Sequence, residues 1–463
     1  MLDTAAPATV GRRLTITLKG ILPSGGRPAR AVFAGFAAAI GVGTGLLMLP
    51  ISAESGTATG FVTALFTATS AVCVTGLIVV DTPTYWTTFG EVVILCLIQV
   101  GGLGIMTVAS LLGLLMARRF GLRMQLTAQT ETKSLRLGDV RTVIKNVLKI
   151  SIAFEIVLAV VLAARFMIAY DHSFGSAVYS GIFHSVSSFN NAGFSLYSDN
   201  LIQFVTDPWV LVPIAIAVIC GGIGFPVLFE LTRRTRSPRR WSIHTKITLV
   251  TTAVLLVVGF VAITATEWSN PATIGPLGIG GKLVAGFFAG VMPRTAGFNS
   301  LDIAELHPST LLVHDVLMFI GGGSGGTAGG IKVTTFALLA FVIYAEIRGE
   351  PTVHVMGRRL DASVQRQALT IALLGVGAVM ASTFALLTIT DHDLDQVLFE
   401  VISAFGTVGL STGITADVAP AGELILTALM FIGRLGPVTA AAALALRDRP
   451  RRYELPEERP IVG

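Results

Sequence analysis

SAVCVTGL, residues 70–77, decides how this chain is read, because it returns three times in altered form. The variants are SFNNAGFS (188–195), PRTAGFNS (293–300) and FGTVGLST (405–412). Each sets a glycine just before Leu or Phe: Gly76, Gly193, Gly297 and Gly409, separated by 117, 104 and 112 residues in a chain of 463. Four near-equal units imply closure around an axis. A ring of irregular, glycine-bearing backbone inside an apolar protein points to an ion pore.

The composition agrees. The chain is 52% hydrophobic and 13% charged, against about 25% charged in ordinary soluble proteins. Apolar runs long enough to cross a bilayer lie near 31–50, 89–117, 147–169, 209–231, 246–266, 311–345, 367–390 and 421–446. The first 20 residues carry Arg12, Arg13 and Lys19 but no apolar stretch, so they do not read as a secretory signal. Of the 33 Lys and Arg, only Arg165, Lys282, Arg294, Lys332 and Arg434 lie well away from 1–30, 118–146, 232–246, 346–366 and 447–463 or the adjoining helix ends. The positive-inside rule makes that side cytoplasmic, with both termini on it. The net charge of +5 is then juxtamembrane and calls for lipid headgroups, not nucleic acid. Cys73, Cys96 and Cys220 are too scattered for a metal site and read as small buried hydrophobes.

Each phrase closes a short apolar segment: 60–72, 176–189, 279–292 and 394–405. At 1.5 Å per residue these are half-helices, too short to cross. The expected fold is an all-α polytopic membrane protein of four pseudo-symmetric repeats, each helix, half-helix, filter loop, helix, around one central pore. It has eight full spans and four pore half-helices. The repeats occupy 31–117, 147–231, 246–345 and 367–446. Cytoplasmic segments 1–30, 118–146, 232–245, 346–366 and 447–463 flank them. Backbone at membrane depth survives only where it is buried or lines a wet cavity. Four loops around an axis can present carbonyls that replace the hydration shell of a cation, aided by the negative ends of the half-helices. Each second span also carries a glycine cluster: QVGGLGIM (99–106), CGGIGFPV (220–227), IGGGSGGTAGGIK (320–332) and FIGRLGPV (431–438). These serve either the pore or close helix packing. The third cannot hold a helix, since each glycine costs about 1 kcal/mol relative to alanine. Residues 311–345 therefore read as a broken span with a mobile middle.

The phrases TSAVCVTGL, NNAGF, RTAGF and FGTVGLSTG resemble the four pore loops of the Trk/Ktr/HKT potassium transporter superfamily, over about residues 31–446, and most closely its KtrB pore-subunit branch. The resemblance implies a potassium-selective filter formed by Val74, Thr75 and Gly76; Asn191, Ala192 and Gly193; Thr295, Ala296 and Gly297; and Thr407, Val408 and Gly409. Their backbone carbonyls would bind K+. Glycine at position 76, where sodium-transporting plant relatives have serine, implies potassium preference. Residues 321–332 correspond to an intramembrane gating loop, with Gly323, Ser324, Gly325, Gly326, Thr327, Lys332 and Arg434 as gate residues. The resemblance further implies potassium uptake across the cytoplasmic (inner) membrane, a homodimer, and a partner ring of cytoplasmic RCK subunits (KtrA or TrkA type) that binds the nucleotide. It leaves sodium as a candidate activator and this chain without a cofactor or an enzymatic activity.

Several residues carry two readings. Arg434 either faces the cavity below the filter or forms a buried salt bridge to Glu155 or Glu230. Lys332 either belongs to the gate or snorkels toward the cytoplasm. The amphipathic run Leu122, Leu126, Leu135 and Val140 with Arg123, Lys133, Arg136 and Arg141 suits the partner ring or a lipid surface. Asp81, Asp171, Asp199, Asp207, Glu267, Asp302, Asp391, Asp393 and Asp395 gather on the outer side, where they would concentrate cations. Asn190 and Asn191 are expected at the mouth, and Glu400 behind the filter backbone. A sodium- or proton-coupled symporter remains an alternative. An intramembrane serine protease built on Gly322–Gly325, with His184, His244 or His314, leaves the four half-helices unexplained. The Gly325 to Lys332 run mimics a phosphate-binding loop but inserts Ile331 and follows no strand.

Overall fold

The computed structural model describes residues 27–119, 140–234 and 238–446. The expectations placed on most of 1–30, on the amphipathic run after residue 119 and on the tail 447–463 fall outside them.

The chain is helical in four successive units. The first holds α1 (Arg27–Leu47), α2 (Phe61–Val72) and α3 (Thr88–Arg119). The second holds α4 (Val140–Ala169), α5 (Phe174–Phe189), α6 (Pro208–Ile223) and α7 (Phe225–Arg234). The third holds α8 (Ile243–Glu267), α9 (Ile279–Val291), α10 (Pro308–Phe319) and α11 (Val333–Ile347). The fourth holds α12 (Ala362–Leu387), α13 (Leu394–Gly406) and α14 (Pro420–Leu446). The short α2, α5, α9 and α13 fall where half-helices were expected, each ending at a glycine phrase.

Starts and stops follow local chemistry. Ser173, Asp207, Ser242 and Asp361 cap α5, α6, α8 and α12 with side-chain oxygens that accept a backbone N–H. Pro208 follows the Asp207 cap, where its missing N–H costs nothing. Thr407 ends α13 in the left-handed region. The short helices are packed inside: Phe66, Phe183, Phe288 and Phe399, one on each, are fully buried. Outer faces stay apolar, with Ile156, Val157, Val160 and Ile168 on α4 and Leu373 and Phe384 on α12 exposed. A water-facing helix would be polar there, so these faces suit lipid.

Four helices are long and apolar enough to span by length and composition, and a fifth span is α6 with α7 if the bent pair counts as one. Three features differ from the sequence reading. The expected span 209–231 bends by 99° between α6 and α7. The hinge is Gly224 at φ +102°, and a Cβ there would stand 2.6 Å from the Ser324 carbonyl oxygen. The segment 311–345 breaks as expected, but its 320–332 interior is a bonded loop lodged against that hinge. The segment between the third and fourth units is not wholly loop: His354–Val355 pairs antiparallel with Arg358–Arg359. Met356 and Gly357 both take positive φ in the turn, as a two-residue hairpin turn demands.

Candidate functional site

The twelve expected loop residues form a closed ring. In every loop the first and third members have positive φ: Val74 and Gly76, Asn191 and Gly193, Thr295 and Gly297, Thr407 and Gly409. Val74, Thr295 and Thr407 are β-branched, for which that region is a true outlier, costing on the order of 1–3 kcal/mol each. The surrounding packing holds them there, and all four first members are fully buried. The ring closes in sequence order. A Cβ on Gly76 would lie 2.3 Å from the Ala192 carbonyl oxygen, and one on Gly193 would lie 2.8 Å from Ala296. One on Gly297 would lie 2.3 Å from Val408, and one on Gly409 would lie 2.2 Å from Thr75. Each glycine is therefore the surface on which the next loop's middle carbonyl rests, and no side chain fits there.

Serines on the short helices brace this backbone, a feature the sequence reading missed. Ser70 Oγ accepts from Gly76 N at 3.1 Å and donates to the Leu77 carbonyl at 2.7 Å. Ser187 Oγ donates to the Phe194 carbonyl at 2.8 Å, and Ser403 Oγ accepts from Gly409 N at 3.1 Å. All three stand six residues before their glycine, a spacing visible in the sequence. Glu400, expected behind the filter backbone, instead accepts from the Ser411 and Thr415 hydroxyls. It fixes the segment after the fourth loop, not the loop itself.

Outside the ring opens a cavity of about 570 Å³, lined in part by Gly76, Gly193, Gly409, Asp81, Asp199 and Asp302. Its lining has three carboxylates and no Lys or Arg, so it favours cations electrostatically. The other acidic residues of the outer side do not line it. Asp207 pairs with Arg165 at 2.8 Å and accepts from Tyr170. Glu267 is buried under Thr310, Thr273, Asn270 and the His307 N–H. Asn190 is not at the mouth either: its amide donates to Gln99, Glu155 and the Val186 carbonyl inside the protein.

On the other side of the ring runs the 320–332 loop. Gly323 N donates to the Gly222 carbonyl at 2.7 Å, Thr327 N to Gly221 at 3.2 Å, and Phe225 N to Gly325 at 3.1 Å. The loop thus fills the break between α6 and α7. It also touches the ring, since Thr327 Oγ1 donates to Asn191 Oδ1 at 2.8 Å. A Cβ on Gly329 would meet Thr407 Oγ1 at 2.0 Å. Arg434 is fully buried and donates through Nη1 to the Thr327 carbonyl. It forms no ion pair among the described residues. Glu155 and Glu230, its alternative partners, take Gln99 with Asn190 and Ser242 with Thr245. Lys332 folds back onto the Ala328 and Gly329 carbonyls rather than reaching outward. Arg294, read in the sequence only as a displaced charge, donates from Nη2 to the Gly321 carbonyl at 2.9 Å. Buried arginines thus hold this loop at two points.

The other glycine clusters pack. A Cβ on Gly101, Gly221 or Gly433 would come within 1.9, 2.0 or 1.8 Å of the carbonyl of Val72, Phe189 or Phe405, at or near the ends of α2, α5 and α13. The cysteines are free, and Cys96 lies exposed on α3 rather than buried. Two histidines of the protease alternative are engaged elsewhere: His184 with Ser180 and Ser195, His314 with the Thr310 carbonyl. No cluster of metal-ligating side chains occurs among the described residues.

Comparison with known proteins gives one consistent set of relatives. The family described as "TrkH: Cation transport protein" matches residues 32–449. The "Ktr system potassium uptake protein B" of Bacillus subtilis is 40% identical over 91% of this chain and 94% of its own length. Its namesake in Vibrio alginolyticus is 38% identical over 95% of each. The "Potassium/sodium uptake protein NtpJ" of Enterococcus hirae is 35% identical over 94% of this chain and 97% of its own. Among solved structures, the potassium transporter TrkH from Vibrio parahaemolyticus aligns with a TM-score of 0.68 over 89% of this chain and 82% of that one. At 17% identity that likeness concerns the fold.

Proposed function

The chain belongs to the TrkH family of cation transport proteins, and from that premise we propose that it takes up potassium across the cytoplasmic membrane through the ring of four loops. The observation that carries this reading is the cyclic seating of each middle carbonyl on the preceding loop's glycine. Such a ring supplies oxygen ligands to a dehydrated cation, at a distance set by backbone rather than by mobile side chains. The short helices direct their negative ends at it, and the acidic vestibule feeds it. The 320–332 loop is the gate, held closed by Arg434, Arg294 and Asn191. Each unit crosses the membrane twice, α6–α7 and α10–α11 counting as one broken span each, with both termini cytoplasmic by the charge distribution. Two relatives are named as part of a Ktr system, which supports a partner subunit; in this reading the partner is a nucleotide-binding RCK ring and the chain works as a homodimer.

The relative named for both potassium and sodium keeps a second reading in view, in which sodium is carried or is a co-substrate. Purified protein in liposomes separates the two. The expected result is potassium flux without an imposed sodium or proton gradient, exceeding sodium flux. Gly76→Ser puts a side chain 2.3 Å from the Ala192 oxygen and lowers the potassium-to-sodium ratio about tenfold, one such contact being worth on the order of 1–2 kcal/mol. Unchanged ratios in both Gly76→Ser and Gly297→Ser sink the filter assignment.

A further inference from the structure

The four loops are not held alike. In three units the serine six residues before the glycine braces the loop through its hydroxyl. Its carbonyl also accepts from the middle loop residue: Thr75 N at 2.7 Å, Ala192 N at 2.7 Å and Val408 N at 2.9 Å. In the third unit that position is Val291, which has no hydroxyl. The middle residue there, Ala296, bonds instead to the Met292 carbonyl at 3.0 Å, one residue tighter, and Val291 accepts from Arg294 N at 3.1 Å. The turn that follows is longer, running from Met292 to Ala296. Arg294, inside this turn, reaches 2.9 Å to the carbonyl of Gly321 at the start of the glycine loop. Its guanidinium is buried, and Nε and Nη1 find no partner among the described residues. The tie to Gly321 is therefore the polar contact that places this side chain.

We propose that the third loop is the adjustable quarter of the ring. Its own Arg294 braces it against the gating loop, in place of a serine on its helix, so ion preference follows the position of the gate. The proposal rests on reading the ring as a filter. The physical reason is stiffness: three loops have their backbone tied to a rigid helix through a two-atom side chain. The third is tied instead to the glycine-rich segment, which as a gate has to move for ions to pass. A displacement of Gly321 pulls on Arg294 and, through the 292–296 turn, on Thr295 and Gly297. Those residues contact the second and fourth loops, since Gly193 lies against Ala296 and Gly297 against Val408.

The test measures potassium and sodium flux of the full chain in liposomes, for the wild type, Arg294→Met, Val291→Thr and the double variant. Val291→Thr keeps the volume of a fully buried site and supplies the missing hydroxyl. Arg294→Met is expected to lower the potassium-to-sodium flux ratio about three- to tenfold, the worth of one net hydrogen bond. Val291→Thr added to it is expected to recover most of that loss, because the new hydroxyl replaces the lost tie. An Arg294→Met variant that lowers both fluxes equally overturns the proposal, as does a double variant whose ratio stays at the single variant's value. If Arg294→Met does not reconstitute, Arg294→Lys, which keeps the charge but shortens the reach, serves in its place with the same expected outcomes. A wild type that moves no potassium defeats the parent reading instead. A selective wild type with ratio-neutral variants defeats this inference alone.

Discussion

Two glycine clusters occupy corresponding places in the first and third units and end in opposite structures. Helix α3 runs unbroken through Gly101, Gly102 and Gly104. Between α10 and α11 the chain leaves the helix from Ile320 to Lys332. Propensity explains part of this: five glycines spread over a 32-residue helix are tolerable at about 1 kcal/mol each, whereas seven in the ten residues 321–330 are not. Neighbours explain the rest. Gly101 and Gly102 receive the end of α2 and the Asn190 side chain at distances no Cβ allows. The third cluster sends its backbone N–H groups and carbonyls to Gly221, Gly222, Phe225, Arg294 and Arg434. One cluster is a packing surface and the other is a hydrogen-bonded loop. Glycine content alone does not distinguish them.

The sharpest break of this comparison lies within the first cluster. In Gly101→Ala the Cβ would sit 1.9 Å from the Val72 carbonyl, a backbone atom that cannot swing away. Overpacking of this kind is expected to cost about 3 kcal/mol or more. Gly104→Ala, whose nearest neighbour is Phe36 at 3.6 Å, is expected to be neutral or to stabilise by up to about 1 kcal/mol. Thermal unfolding of the two solubilised variants decides it. Equal midpoints mean the cluster is not a packing surface.

In the third cluster the expected effects are on flux, not on folding. Arg434→Met removes the charged donor to the Thr327 carbonyl and is expected to raise resting potassium flux about tenfold or more, the scale of one charge-assisted hydrogen bond. Thr327→Val, nearly isosteric, removes only the neutral bond to Asn191, and a rise of about fivefold is expected. A liposome assay in which Thr327→Val outruns Arg434→Met reverses the order of the two ties.

The contrast was partly legible beforehand. The four phrases, the short helices and the broken third span follow from apolar run lengths and glycine placement, which are local properties. The bend at Gly224 was also written locally, in a glycine two residues before Pro226 that marks a helix end and a new start, yet the unbroken hydropathy read as one span. What the sequence could not show was partner choice. Arg434 had two plausible carboxylates and took a carbonyl instead. Glu400 stood within reach of the fourth loop and took Ser411 and Thr415. Asn190 and Asn191 are adjacent, but the first turns inward to Glu155 and the second toward Thr327. In a low-dielectric interior every such group must find some partner, and which one depends on the tertiary approach of segments from 11 to 136 residues apart.

The smallest expected effect guards the others against a trivial explanation. Asp361 caps α12 at the start of the fourth unit, accepting from the Ser363 N–H at 2.7 Å and from its hydroxyl. These bonds, with Arg366 and Arg359 nearby, hold its carboxyl below the ordinary aspartate range. Its folded-state pKa is depressed, so its share of stability is present above the unfolded aspartate pKa and is lost as pH falls through the folded value. Asp361→Ala is expected to cost about 1 kcal/mol at neutral pH. That difference should shrink on acidification below about pH 4, where the wild-type carboxyl also protonates. Because the cap lies far from the ring and the glycine loop, the potassium-to-sodium ratio should stay at the wild-type value. If destabilising this distant helix end shifts the ratio as much as Arg294→Met or Gly76→Ser does, selectivity tracks general stability, and the separate roles assigned to the two glycine clusters fall together.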